Sequence, residues 1–202
     1  DELVVGFAGK HKEQAVFAVA SNYGSLAVRV LFLPVEDAAR ALFGKFLHAS
    51  PPSPSAALNT LALASKTVLL VGTLFAAWGP PLAAAVTDMV LGPKWTKEGA
   101  GEALAAYACY IPFLAANGVA EALLHTAVPA SSLRSQSLLL SLLSIAYSFT
   151  AYFGLTHFNI QGLVAAMCAH MAIRASLALY TASSHLHTAH NAPIHLHTLL
   201  PS

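Results

Sequence analysis

Apolar residues run in long blocks along this chain rather than in alternation, and five of the blocks are long enough to cross a bilayer as helices. A hydrocarbon core about 30 Å thick needs about 20 residues of helix, and only helices and closed barrels satisfy their backbone groups there. Barrel strands would need short alternating segments, whereas Ala and Leu dominate here. The first predicted helix covers about 14–47: Gln14 to Leu33, a kink at Pro34, then a charged continuation from Val35 to Leu47. The second covers about 56–78 and stops at Gly79-Pro80-Pro81, where missing amides and ring clashes should end it. Residues 82–91 then read as a short interfacial helix. The third helix covers about 102–126, with Pro112 inside it, and the turn Val128-Pro129-Ala130-Ser131 leads to the fourth, about 133–155. The fifth covers about 158–182. No Asp, Glu, Lys or Arg occurs from Ser135 to Ile173, a stretch nearly twice the roughly 20 residues of one crossing. The last two helices are therefore expected to form a hairpin turning near Gly154 to Asn159. Ser50-Pro51-Pro52-Ser53-Pro54-Ser55 reads as a flexible loop, and 183–202 as a polar, His-rich loop or tail.

Composition makes the membrane assignment firm. Hydrophobic residues are 56% of the chain, charged residues 9%, and the mean hydropathy is +0.63. A soluble domain carries roughly 25% charge, so an ordinary water-exposed globule is excluded. The expected fold class is all-α, a polytopic helical membrane protein. Ten Lys and Arg against nine Asp and Glu leave a formal charge of +1, which gives no basic surface for nucleic acid. Cys109 and Cys168 lie in apolar stretches and suggest neither a disulfide nor a zinc site. Lys94 and Lys97 fall on one side, Arg40, Lys45 and Arg134 on the other, with Lys10 and Lys12 balancing them. The positive-inside rule thus leaves orientation undecided. The opening Asp1-Glu2-Leu3-Val4-Val5 has no initiator Met or signal-peptide pattern and reads as a chain entered partway through.

A charge in mid-membrane costs about 2.5–3.5 kcal/mol, so each needs a partner, water or a function. In the first helix Asn22, Ser25, Arg29, Glu36 and Arg40 fall within about 60° of one another at about 100° per residue. Glu36 and Arg40 are also an i, i+4 pair that fits a simple interfacial role, with Asp37 beside them. Arg29 lies deeper and points to a substrate-facing or water-filled cavity. In the third helix Asn117, Glu121 and His125 follow i, i+4, i+8, with Tyr110 on the same face. They read either as interhelical hydrogen bonding or as the lining of a hydrophilic interior. In the fifth helix His170 and Arg174 are again i, i+4, and Arg174 is near enough to the helix end to snorkel. His185, His187, His190, His195 and His197 enrich the tail, but a biased loop composition accounts for them and no metal site is expected. No Gly-rich phosphate loop, His-Glu-x-x-His helix or Gly-x-Ser-x-Gly elbow occurs, so neither an enzyme nor a cofactor is expected.

The run from Glu13 to Asp37, with Ser21-Asn22-Tyr23-Gly24-Ser25-Leu26, Arg29 and Phe32-Leu33-Pro34-Val35-Glu36-Asp37, closely resembles the central segment of the Rft family. These are eukaryotic proteins of dolichol-linked oligosaccharide translocation. The match departs conservatively at Val35 and Asp37, where the family usually has Ile and Glu. Tyr107-Ala108-Cys109-Tyr110, Asn117-Gly118-Val119-Ala120-Glu121 and Met171-Ala172-Ile173-Arg174 resemble further family patches. The resemblance covers nearly the whole chain but only the latter-middle part of a family member. It implies the fold of the multidrug/oligosaccharidyl-lipid/polysaccharide flippase superfamily, two helical lobes in a V around a polar cavity, with this chain as part of the second lobe. The opening residues would then end the preceding helix.

The same resemblance implies a multi-pass protein of the endoplasmic reticulum membrane that serves N-glycosylation. Its partners would be the dolichol-diphosphate oligosaccharide, membrane lipids and the rest of the same polypeptide. On this basis Arg29 is expected to meet the diphosphate, with Asn22, Ser25, Asn117 and His125 contacting sugars. Glu36, Asp37, Glu121 and Arg174 would set charge balance or gate the lobes. Two rivals remain: a non-transporting accessory or scaffold protein of the same pathway, and an ion-coupled exporter of the same superfamily.

Overall fold

The computed structural model describes residues 11–190, and these are helical with no strand among them. Helix α1 is His11–Leu47, α2 is Pro54–Leu91, the short α3 is Pro93–Lys97, and α4 is Ala100–Ala127. The run Ala130–His190 contains one non-helical residue, Asn159 at φ 55° and ψ −146°, which divides it into α5 (130–158) and α6 (160–190). The chain is an all-α, polytopic membrane protein. Helices α2, α4 and the α5–α6 run are each apolar enough to cross a bilayer, and α1 passes the same test as two segments taken together.

The α5–α6 run folds back on itself. The Tyr147 and His170 rings stack with centroids 4.4 Å apart, although a straight helix would separate them by about 35 Å. At the tip, a Cβ added to Gly154 would lie 2.6 Å from the Gly162 carbonyl oxygen, so this turn is closed backbone against backbone. Helix α5 is serine-rich and largely exposed, but Ser137, Ser141, Ser144 and Ser148 each donate to the carbonyl four residues earlier. These internal bonds hide the hydroxyls from lipid. On α6, Ala178, Ala182 and Leu186 continue one buried face at i, i+4, i+8.

Three sequence expectations are corrected here. Pro34 does not kink α1; the bend, 43°, falls between Leu26 and Val28, seven residues before the proline and beyond reach of its ring. Helix α2 does not end at Gly79-Pro80-Pro81 but runs unbroken to Leu91, so residues 82–91 are no separate interfacial helix. Prolines are tolerated in membrane helices when neighbouring helices support the backbone, and here Gly79 packs directly on the Ala108 side chain of α4. Ser183 to His190 belong to α6 rather than to a loop, because the buried Ala182–Leu186 face carries the helix onward. The remaining tail residues, 191–202, and the opening ones, 1–10, lie outside the described residues.

Helix α4 is the centre of the bundle. Gly72 meets Pro112, Gly79 meets Ala108, and Gly101 meets Ala84, so α2 and α4 run antiparallel along a seam of small residues. Gly24 meets Tyr107, Gly118 meets Glu36, and Gly44 meets Thr126; rising together, these pairs make α1 and α4 parallel and in register. In α2 the uncharged run from Thr67 to Thr87 is flanked by Lys66 and Asp88, and this sets the hydrocarbon crossing. Asp88 accepts a short hydrogen bond from Thr96 of α3, which fastens that end of α2.

The seam makes a stability prediction. A Cβ at Gly72 would sit 2.8 Å from the Pro112 Cα, a backbone atom, whereas one at Gly79 would strike only the Ala108 methyl. Gly72→Ala and Gly79→Ala are each expected to cost about 1–3 kcal/mol by overpacking. Adding Ala108→Gly should restore Gly79→Ala and leave Gly72→Ala unrepaired. Thermal unfolding of the full-length protein in detergent checks this.

Candidate functional site

Because α1 and α4 are parallel and in register, polar residues spaced along each face one another across a shared groove. A cavity of about 220 Å³ lies between them, and its polar wall comprises Arg29 and Glu36 from α1 with Asn117 and Glu121 from α4. Phe32, Leu33 and Leu114 supply apolar wall. The approach is close because Gly118 has no side chain: a Cβ there would lie 2.5 Å from Glu36 Oε2.

The four polar groups differ in how they are satisfied. Arg40 Nη2 donates to Glu36 Oε1 at 2.6 Å, and Arg40 Nη1 donates to Asp37 Oδ1 at 3.4 Å. Arg174 of α6 donates to Glu121 Oε1 from Nε at 3.1 Å and from Nη2 at 2.5 Å. Both carboxylates are half-buried and within electrostatic reach of each other. Asn117 is 5% exposed, and its Oδ1 has no hydrogen-bond partner among the described residues. Arg29 has no ion-pair partner among the described residues, although its guanidinium lies within electrostatic reach of Tyr107. Each carboxylate in the cavity thus has its own arginine, while the cavity's own arginine has no carboxylate among the described residues. A free cation beside an unpaired buried amide is suited to an anionic, hydroxyl-bearing ligand.

Depth is set by the surrounding helices. Through the α2–α4 and α1–α4 pairings, Gly118 and Glu36 lie level with Lys66, the boundary of the hydrocarbon crossing. Arg29 is seven residues deeper, about 10 Å of helix rise. The cavity therefore runs from one membrane boundary inward and has Arg29 at its inner end.

Not every sequence-selected residue reaches it. Asn22 is exposed, and the Ser25 hydroxyl is spent on the Asn22 carbonyl at 3.0 Å. Both precede the bend near Ala27, which splits the polar stripe that a straight helix would have kept on one face. His125 is exposed and outside the lining, Asp37 is held by Arg40, and Arg174 acts through Glu121. Gly118 and Gly24 were not singled out by their sequence. A glycine inside a long apolar helix signals close approach of another backbone or side chain, and that signal was present at both.

Comparison with known proteins fits this arrangement. The sequence model of the family described as Rft protein matches residues 1–201. The chain belongs to the Rft family. Three similar relatives carry the name Man(5)GlcNAc(2)-PP-dolichol translocation protein RFT1. The one from Schizosaccharomyces pombe is 34% identical over 89% of this chain and 34% of its own length. The Saccharomyces cerevisiae protein is 24% identical, over 86% of this chain and 31% of its own length. The Dictyostelium discoideum protein is 27% identical, over 83% and 36% respectively. The chain thus spans about a third of the length of the curated relatives it matches. No solved structure gives a significant match. The Rft assignment covers every residue of the cavity.

Proposed function

We propose that the protein to which this chain belongs moves a dolichol-diphosphate-linked oligosaccharide across the endoplasmic reticulum membrane for N-glycosylation, without covalent chemistry. The observation that carries this is a cavity at the membrane boundary lined by Arg29 and the Asn117 amide, neither the guanidinium with an ion-pair partner nor Oδ1 with a hydrogen-bond partner among the described residues, in a member of the Rft family. A diphosphate and sugar hydroxyls crossing a low-dielectric slab need a polar, cation-bearing path. Arg29 supplies the planar fork for the diphosphate, and Asn117 offers an acceptor to a sugar hydroxyl. Glu121 and Arg174 hold α4 to α6 and keep a bare carboxylate from repelling the anion. The rest of the polypeptide would close the other side of the path.

Reconstitution of the full-length protein into vesicles with a labelled lipid-linked oligosaccharide tests the proposal. Label should reach the opposite leaflet faster than in protein-free vesicles. Equal rates with and without protein would assign the polar residues to an accessory role in the same pathway.

A further inference from the structure

The polar cavity has an apolar neighbour. One turn back toward the amino-terminal ends of α1 and α4, a cavity of about 480 Å³ opens between α1, α2 and α4. Its walls include Gly24, Leu74, Trp78, Leu82, Tyr107 and Ile111, and among the described residues no charged side chain, amide, Ser or Thr lines it. Leu74, Trp78 and Leu82 are exposed and lie within the uncharged 67–87 run, so the cavity opens sideways at hydrocarbon depth. The two cavities follow one track: α1 contributes Tyr23 and Gly24 to the apolar part, then Val28, Arg29 and Phe32 to the polar part, and α4 changes over between Ile111 and Leu114. Tyr107 stands at the junction. Its ring walls the apolar cavity against the bare Cα of Gly24, and it lies within electrostatic reach of Arg29.

We propose that the apolar cavity holds the first isoprenoid units of the lipid whose diphosphate meets Arg29, so that the two cavities form one site for a single amphiphile. This rests on the translocation function proposed above and adds where the tail goes. The abruptness of the junction selects the chemistry. In a polyprenyl diphosphate the phosphate oxygen is bonded directly to the hydrocarbon chain. A glycerophospholipid places a glycerol and two ester groups between phosphate and chain, and their several acceptor oxygens would need polar partners where the apolar part of this track offers only the phenols of Tyr23 and Tyr107 and the indole of Trp78 among the described residues. The orientation also suits an amphiphile, since the polar cavity lies toward the membrane boundary and the apolar one toward the bilayer interior.

The test uses the full-length protein in lipid nanodiscs with a polyprenyl diphosphate bearing a diazirine on its second isoprene unit, and peptide mapping of the adducts. Adducts should concentrate on 19–24, 74–86 and 104–111, and excess unlabelled polyprenyl diphosphate should remove them. Leu82→Trp, which enlarges an exposed wall residue without disturbing the packed seam, should reduce them at least fivefold. A phosphatidylcholine with a diazirine on one chain is the control. Equal labelling of these segments by the control, resistant to the diphosphate competitor, would make the cavity an ordinary lipid groove and overturn the inference. Competable adducts confined to other segments would overturn the tail placement while leaving translocation standing. Absence of competable adducts anywhere would overturn both.

Discussion

Lysine in place of Arg29 is expected to impair translocation nearly as severely as alanine does. Lysine keeps the charge but replaces a planar five-donor fork by a point charge, and a diphosphate is best gripped by two parallel hydrogen bonds. Hydrogen bonds to a charged group are worth about 1.5–3 kcal/mol, so each variant should lose roughly 10- to 100-fold in transport rate or substrate affinity. Because Arg29 has no ion-pair partner among the described residues, its removal strands no carboxylate, and abundance should stay near normal. The measurement is rescue of N-glycosylation in cells depleted of the endogenous protein, with the level of each variant determined alongside. Full rescue by Arg29→Lys at normal abundance would sink the diphosphate role.

Arg174→Ala should behave in the opposite manner, lowering the amount of folded protein rather than its specific activity. It strips Glu121 of both hydrogen bonds in a half-buried setting, where side-chain exposure is 27% for Arg174 and 22% for Glu121. Breaking one side of a buried pair costs about 3–5 kcal/mol, and the partial exposure here brings this to roughly 2–3 kcal/mol. The neutral pair Glu121→Gln with Arg174→Met should recover most of the loss, since no charge is then left alone. Melting temperatures of the purified full-length variants would decide it. If the double variant melts no higher than Arg174→Ala, the stranded Glu121 carboxylate is not the source of the loss.

The all-α membrane fold was legible because lipid allows few solutions, and the uncharged run from Ser135 to Ile173 is too long for one crossing. Pro80-Pro81 misled because the rule that proline ends a helix assumes nothing packs nearby, whereas Gly79 lies against Ala108 and α2 runs on to Leu91; at Pro34 the expected kink is absent and the bend of α1 lies near Ala27. The bend in α1 left no sequence trace at Ala27 itself; the close Gly24–Tyr107 contact three residues earlier is a tertiary matter. Within the site, helical spacing put Asn117 and Glu121 on one face, but the pairing of Glu121 with Arg174 depends on how α6 folds back beside α4. Spacing along one helix cannot see that. It also overextended the α1 stripe to Asn22 and Ser25, because a helical wheel assumes a straight axis.

The partners of the α4–α6 ion pair lie 53 positions apart in the chain. During synthesis at about 5–20 residues per second, Glu121 precedes Arg174 by roughly 3–11 s. For that interval α4 carries, at the membrane boundary, a carboxylate whose arginine has not yet been made, beside the amide of Asn117. The nascent helix therefore keeps that end at the membrane boundary, against α1 and α2, until α6 arrives. Insertion of the hairpin and the final seating of α4 thus become one coupled event, and a chain arrested before Arg174 should present α4 to the machinery that removes unassembled membrane segments.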